Sequence, residues 1–122
     1  MSRAPLTADV RRYLATIGTT LRDLRREAGL LQEQIAVRTG TVGARVGEIE
    51  RGEVDTSLSR LRALAIALGL PLSAFFRRVE LVADPRAAEV MRDQVREALR
   101  RLGSEDLDLV AAFVRRLLAR HA

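Results

Sequence analysis

The chain of 122 residues contains no cysteine, no tryptophan and a single histidine. Without cysteine there are no disulfide staples, no thiolate zinc sites and no cysteine nucleophile. One histidine, His121 next to the C-terminus, removes histidine metal clusters and most imidazole acid–base chemistry. The aromatic residues are Tyr13, Phe75, Phe76 and Phe113, too few for a stacking platform on single-stranded nucleic acid. No apolar run approaches the length of a membrane span, and Met1 to Pro5 leads into no apolar core of a signal peptide. The expectation is a cytoplasmic protein without membrane, metal or cofactor, and not an enzyme. Lysine is also missing. All 21 basic residues are arginine, against 16 acidic ones, for a net charge of +5. A basic excess points to nucleic acid or another anionic surface. The choice of arginine over lysine is explained equally well by the coding bias of a genome.

What is present is helical periodicity. Val10, Tyr13, Leu14 and Ile17 repeat at i, i+3, i+4 and i+7, with Thr7 as a candidate N-cap, and Leu21, Leu24 and Ala28 continue the stripe to a stop at Gly29. Gly18 either separates two helices or weakens one long one. Short helices follow over Gln32 to Thr39, ended by Gly40, and over Gly43 to Arg51, ended by Gly52. Thr56 or Ser57 can cap the next, which holds Leu58, Leu61, Leu64, Ala65 and Leu68. Pro71 suits the first turn of a short helix through Phe75 and Phe76. Val79 to Val82 alternates once, too briefly to read as a strand. Asp84-Pro85 reads as N-cap and first helical residue of a helix burying Val90, Met91, Val95, Ala98, Leu99 and Leu102. Gly103 ends it and Ser104 caps a last helix, with Leu107, Val110, Val114 and Leu117 in line and Phe113 and Leu118 beside them. Two helices so closely joined are expected to pack as an antiparallel hairpin. A lone hairpin cannot bury both apolar faces, so it needs the rest of the chain or a second copy.

The segment from Gly29 to Gly52 reads as helix, tight turn, helix. Ile35 and Ala36 face inward from the first helix and Val46 and Ile49 from the second. Gly40 lets the chain reverse, and the small Ala36 lets the helices cross closely. In a helix-turn-helix the second helix offers its N-terminal outer face to the DNA major groove. The residues Ile17-Gly18, Leu21, Leu24-Arg25, Gly29-Leu30, Gln32-Glu33, Ile35-Ala36, Gly40 and Ile49-Glu50-Arg51-Gly52, completed by Ser57-Leu58, Leu61, Ala65 and Leu68-Gly69, resemble the Xre/Cro-type, phage-repressor-like regulators. The resemblance covers roughly residues 17 to 76. It implies a lambda-repressor-like, five-helix DNA-binding domain. It also implies that Gln32 contacts a phosphate, that Gly43, Ala44, Arg45 and Glu48 face the bases, and that Arg25 and Glu50 form a partly buried ion pair. The candidate DNA-binding set is therefore Gln32, Thr41, Val42, Gly43, Ala44, Arg45, Glu48 and Arg51, the last being either a phosphate contact or a solvated charge.

The recognition helix departs from the family pattern. Thr41-Val42 stands at the turn, and Gly43, Ala44 and Gly47 stand where polar readers are usual. Only Arg45 is an obvious groove ligand, and Glu48, Glu53 and Asp55 are acidic where phosphates would lie. Two readings follow: DNA binding with limited direct readout, or a helix-turn-helix fold kept as a protein-interaction module. Charge favours DNA, since residues 1–78 hold 13 arginines and 8 acids whereas residues 79–122 hold 8 of each. Other constellations are bland. Gly40, Gly43 and Gly47 form no phosphate loop, Glu105, Asp106 and Asp108 suit a helix N-terminus, and Arg3, Arg11 and Arg12 are either a basic arm or a solvated helix face. The expected whole is all-α. Residues 1–78 form the DNA-binding domain with an N-terminal helical extension, and residues 79–122 form a helical hairpin that makes a homodimer through Leu107, Val110, Phe113, Val114 and Leu117. Its expected partner is double-stranded DNA at a pseudo-palindromic operator, bound in repressor fashion and with no small-molecule effector.

Overall fold

A computed structural model describes residues 6–121, which form seven helices and no strand. They are α1 (Ala8–Glu27), α2 (Gln32–Thr39), α3 (Gly43–Glu50), α4 (Leu58–Ala67), α5 (Leu72–Ala83), α6 (Pro85–Leu99) and α7 (Ser104–Arg120). The local signals act as the sequence suggests. The Thr7 hydroxyl accepts from the Val10 amide and the Ser57 hydroxyl from the Arg60 amide, so Ser57 rather than Thr56 caps α4. Each satisfies a backbone donor that the first turn of a helix leaves open. Gly40 takes φ +70° between α2 and α3, and the Thr41 amide donates to the Ala36 carbonyl at 3.0 Å, which closes the turn. At α7 the N-cap is Gly103, which offers no side-chain bond, and Ser104 is the first helical residue rather than the cap expected of it.

The chain divides into two compact units, one ending at Pro85 and one beginning at Arg86. In the first, α1 packs on α3 and α5, α2 on α3 and α4, and α4 on α5. Their apolar faces meet in a core of Leu14, Ile17, Leu21, Ile35, Ala36, Val46, Ile49, Leu61, Leu64, Ala65, Phe75 and Val79. The Phe75 ring meets Phe76 edge to face at 5.7 Å. Val79 is fully buried, so α5 runs well past Phe76 and the boundary expected between 78 and 79 falls inside it. The alternation at Val79 to Val82 was too short a pattern to reveal this extra helical turn, which is held by packing.

Of the two possibilities for Gly18, the structure takes the second: α1 is one unbroken 20-residue helix. The glycine is a close approach. A Cβ there would lie 2.4 Å from the carbonyl oxygens of both Ile49 and Glu50, the last turn of α3. Farther toward the N-terminus, Arg11 donates to the Leu6 carbonyl and Arg12 to Asp9, which makes them a solvated helix face. Arg3 lies outside the described residues. The Tyr13 hydroxyl donates to Glu80 at 2.5 Å and ties α1 to α5.

In the second unit α6 and α7 form as helices but do not pack along each other, and neither buries a residue. Val90 and Val95, expected in the interior, are 56% and 48% exposed. The antiparallel packing foreseen for this pair is therefore absent. Ala88, Met91, Val95 and Ala98 on α6 and Leu107, Val110, Val114 and Leu117 on α7 repeat at intervals of three and four. That is the 3.5-residue period of a seam between supercoiled helices, and two narrow seams with nothing set against them remain open. Among the described residues no single helix is long and apolar enough to cross a membrane.

Two measurements check these contacts. Gly18→Ala should raise helix propensity by about 1 kcal/mol, yet the clash with backbone oxygens should lower stability by about 1–3 kcal/mol. Urea unfolding gives the sign, and a more stable variant would mean α1 and α3 are not in contact here. Tyr13 is the only tyrosine in a chain without tryptophan, so its ionisation can be followed by absorbance. Burial, then the bond to Glu80 and its charge, push the phenol up to about 12 from 10.0. The folded state then holds a proton that the unfolded state has released. Its stabilisation is full below pH 10 and is lost as pH rises toward 12. A native titration midpoint indistinguishable from that in urea would contradict the contact.

Candidate nucleic-acid interface

The orientation of α3 is set by one buried ion pair. Arg25, near the end of α1, donates from Nε to Glu50 Oε2 at 2.7 Å and from NH2 to Glu50 Oε1 at 2.9 Å. Its third nitrogen, NH1, donates to the Leu30 carbonyl at 2.8 Å. Glu50 Oε1 also accepts from Gln32 Nε2 at 3.1 Å. Both charged residues are buried, at 8% and 5% exposure. The bond to Glu50 holds the Arg25 guanidinium above its ordinary range, against the opposing effect of burial. One guanidinium thus joins α1, the turn into α2 and the end of α3, and Glu50 joins α2 as well. The bidentate geometry fixes angles as well as distances.

Gly47 and Gly43 prove to be packing residues. Gly47 is buried, and a Cβ there would lie 2.9 Å from an Arg51 guanidinium nitrogen and 3.4 Å from the Gln32 amide group. Gln32 and Arg51, two candidate phosphate ligands, therefore lie together over a glycine floor. A Cβ on Gly43 would meet the Glu33 Cγ at 2.8 Å, so this position faces α2 instead of the outer surface expected for it. The reason is its place at the first turn of α3, where the tight Gly40 turn sets it against the start of α2. Two of the apparent vacancies on the recognition helix are thus contacts with α2 and its neighbours.

What remains on the outer face is Val42, Ala44, Arg45 and Glu48. Val42, the N-cap of α3, is 65% exposed and Ala44 is exposed, whereas Thr41 is half-buried in the turn. Arg45 NH1 donates to Glu48 Oε2 at 3.0 Å, one turn away. Arg51 donates from Nε and NH2 to the two oxygens of Glu53 at 2.7 and 3.3 Å. This bond holds the Arg51 guanidinium above, and the Glu53 carboxyl below, their ordinary ranges. Arg60 was not singled out from the sequence. It shares with Arg45, Asp55, Thr56 and Ser57 an open groove of about 460 Å³ between α3 and α4. Its signal was its place in the first turn behind the Ser57 cap. Residues 32–67 hold five arginines and five acids, of which only Glu50 is buried, so the surface of this segment carries little net charge and the +5 of the first 78 residues comes from the segments flanking it.

Comparison with known proteins agrees with this geometry. A family model described as a helix-turn-helix domain matches residues 16–74. The immunity repressor protein of Bacillus phage phi105 is 33% identical over 72 residues, 59% of this chain and 50% of that protein. The HTH-type transcriptional regulator SutR of Escherichia coli K12 is 36% identical over 59 residues, 48% of this chain and 33% of that protein. The chain thus spans half the length of the first relative and a third of the second. Among solved structures, the restriction-modification controller protein C.AhdI from Aeromonas hydrophila matches with a TM-score of 0.50 and 38% identity over 52% of this chain and 96% of its own. The clp gene regulator ClgR from Corynebacterium glutamicum, at 22% identity, shares the fold with a TM-score of 0.57 over 76% of this chain and 93% of its own. The domain is a helix-turn-helix of the regulator type. The chain belongs to the Xre/Cro-type, phage-repressor-like helix-turn-helix family.

The clamp can be tested alone. Removing one partner leaves the other charge buried and unpaired, so Glu50→Ala should cost about 3 kcal/mol or more. Replacing both, as Arg25→Met with Glu50→Leu, should restore much of that loss. A double-mutant cycle by urea unfolding reads the coupling, and additive losses would show that the two residues do not interact.

Proposed function

We propose that the chain is a DNA-binding transcriptional regulator of repressor type that binds a pseudo-palindromic duplex site as a homodimer. The observation that carries this reading is the clamp of Arg25, Glu50 and Gln32. It holds α3 with Val42, Ala44 and Arg45, in and before its N-terminal half, turned to solvent. That is the part of a recognition helix that enters the major groove. In this reading Gln32 and Arg51 meet phosphates, Arg45 supplies direct base contact, and Val42 and Ala44 allow close approach, with apolar contact to a thymine methyl. Two relatives, a phage immunity repressor and a transcriptional regulator, support it.

The dimer is supported by the open seams. Leu107, Val114 and Leu117 are 40%, 44% and 36% exposed and Phe113 is 61% exposed. Val110 is half-buried and lies on the same line. A second copy presents identical stripes, and a two-fold axis would set each against its equivalent. Such a dimer would hold two recognition helices about 34 Å apart, one helical turn of DNA.

A second reading, a protein-interaction module, is favoured by the low net charge of the α2–α4 surface and the exposed Val42. Duplex binding by anisotropy separates the two. The DNA reading expects affinity to fall by orders of magnitude between about 50 and 200 mM salt. It further expects Gln32→Ala to weaken all duplexes and Arg45→Ala to flatten sequence preference. No retention on any duplex at low salt would favour a protein partner. For the dimer, light scattering at tens of micromolar should give two chains, and Val114→Glu should give one. A wild-type monomer would remove the role assigned to the last two helices.

A further inference from the structure

The arginines best placed to meet DNA are both engaged by carboxylates of the same face. Arg45 is held by Glu48 one helical turn away, and Arg51 by Glu53 through both oxygens. A carboxylate offers a guanidinium the same two-oxygen fork that a phosphate offers, and nearly the same acceptor pair as a guanine edge. The two-oxygen bond to Glu53 occupies the Arg51 guanidinium as a phosphate would, and the single bond to Glu48 occupies one Arg45 donor that a base edge would take. The four side chains are between 37% and 58% exposed, so the pairs are open to exchange with a ligand. Elsewhere on the loop the arrangement differs: Asp55 has no arginine within ion-pair distance among the described residues, although it shares the groove with Arg45 and Arg60.

Resting on the DNA reading, we infer that Glu48 and Glu53 latch Arg45 and Arg51 away from arbitrary DNA, Glu48 as a specificity-determining residue and Glu53 as a residue that sets the general affinity for duplex. The Glu53 latch opens on phosphate and lowers affinity for every duplex. The Glu48 latch opens on a base edge. A duplex with guanine under Arg45 repays the broken pair with a bidentate bond, and a duplex without it leaves the pair closed and a carboxylate facing the groove. Preference then arises from rejection as much as attraction. This accounts for a recognition surface with little net charge in a chain that carries +5.

The test uses the full chain, the duplex it prefers in a random pool, and a scrambled duplex of equal length, with affinity measured across a salt series. Glu53→Gln should raise affinity for both duplexes about two- to five-fold, the range such an exposed pair is worth. It should also steepen the dependence of log affinity on log salt by up to about 0.9, because the wild-type carboxylate, once released, takes up a cation that offsets one of those displaced from the phosphates. Glu48→Gln should raise affinity for the scrambled duplex more than for the preferred one and so narrow the preference. Asp55→Asn removes a charge from the groove it shares with Arg45, one that latches nothing, and should leave both slope and preference unchanged. If Asp55→Asn matches the two glutamine variants in slope and preference, the effect is general electrostatics and the latch is overturned while DNA binding stands. If only the glutamine variants bind measurably, the latch is supported in its strongest form. If wild type and all variants fail to bind duplex at low salt, the DNA reading falls and the latch with it.

Discussion

The buried pair of Arg25 and Glu50 is the interaction on which the rest of the first unit depends. Both charges are withdrawn from water, a change that costs several kcal/mol per ion unless each is fully bonded. Here the bonding is nearly complete: two bonds between the pair, one from Arg25 to the Leu30 carbonyl and one from Gln32 to Glu50. The arrangement requires the end of α3 to lie directly against α1, and Gly18 makes that possible, since a Cβ there would strike the Glu50 carbonyl. The same carboxylate fixes the start of α2. One side chain therefore sets the relation among the three helices that carry the exposed face, and the apolar core of Ile17, Leu21, Ile35, Val46 and Ile49 closes around it.

Rigidity of this kind separates two tasks that a binding surface must perform. The frame is built from buried, mutually satisfied groups and has no freedom to adapt. The face is built from exchangeable ion pairs and small residues. On the proposed reading, Ala44 and Val42 let a partner approach, Arg45 and Glu48 set which partner is preferred, and Arg51 with Glu53 sets how tightly any duplex is held. Positive charge lies in the segments flanking the face, where it can attract a polyanion from a distance without fixing sequence or register.

Much of this was legible in the sequence because it is written locally. Thr7, Ser57, Gly40 and Pro85 act on the backbone within a few residues, so helix limits followed from them. The inward positions of Ile35, Ala36, Val46 and Ile49 follow from helical period alone. The pair of Arg25 and Glu50 came from the family resemblance, since residues 25 apart carry no periodic signal. The illegible features depend on what lies opposite. Gly18 and Gly47 look like weak helix positions until the carbonyls of α3 and the side chains of Gln32 and Arg51 are set against them. Val79 reads as the start of an ambiguous alternation until the core receives it. Arg45 and Glu48 stand three residues apart on one helix face, a spacing that allows a bond to each other as readily as contact with a groove, and only the structure shows the bond. In α6 and α7 the apolar lines were visible, but whether they would close on each other depends on an angle that the short connection does not encode.

Selection of bound sequences from a random duplex pool by the full chain tests the central claim most directly. The account predicts an enriched two-fold symmetric site, with half-sites about 10 base pairs apart or a multiple of that, and guanine within each half-site at the position lost from the consensus in Arg45→Ala. A pool that emerges unenriched, or a single asymmetric site unchanged by Arg45→Ala, would contradict it.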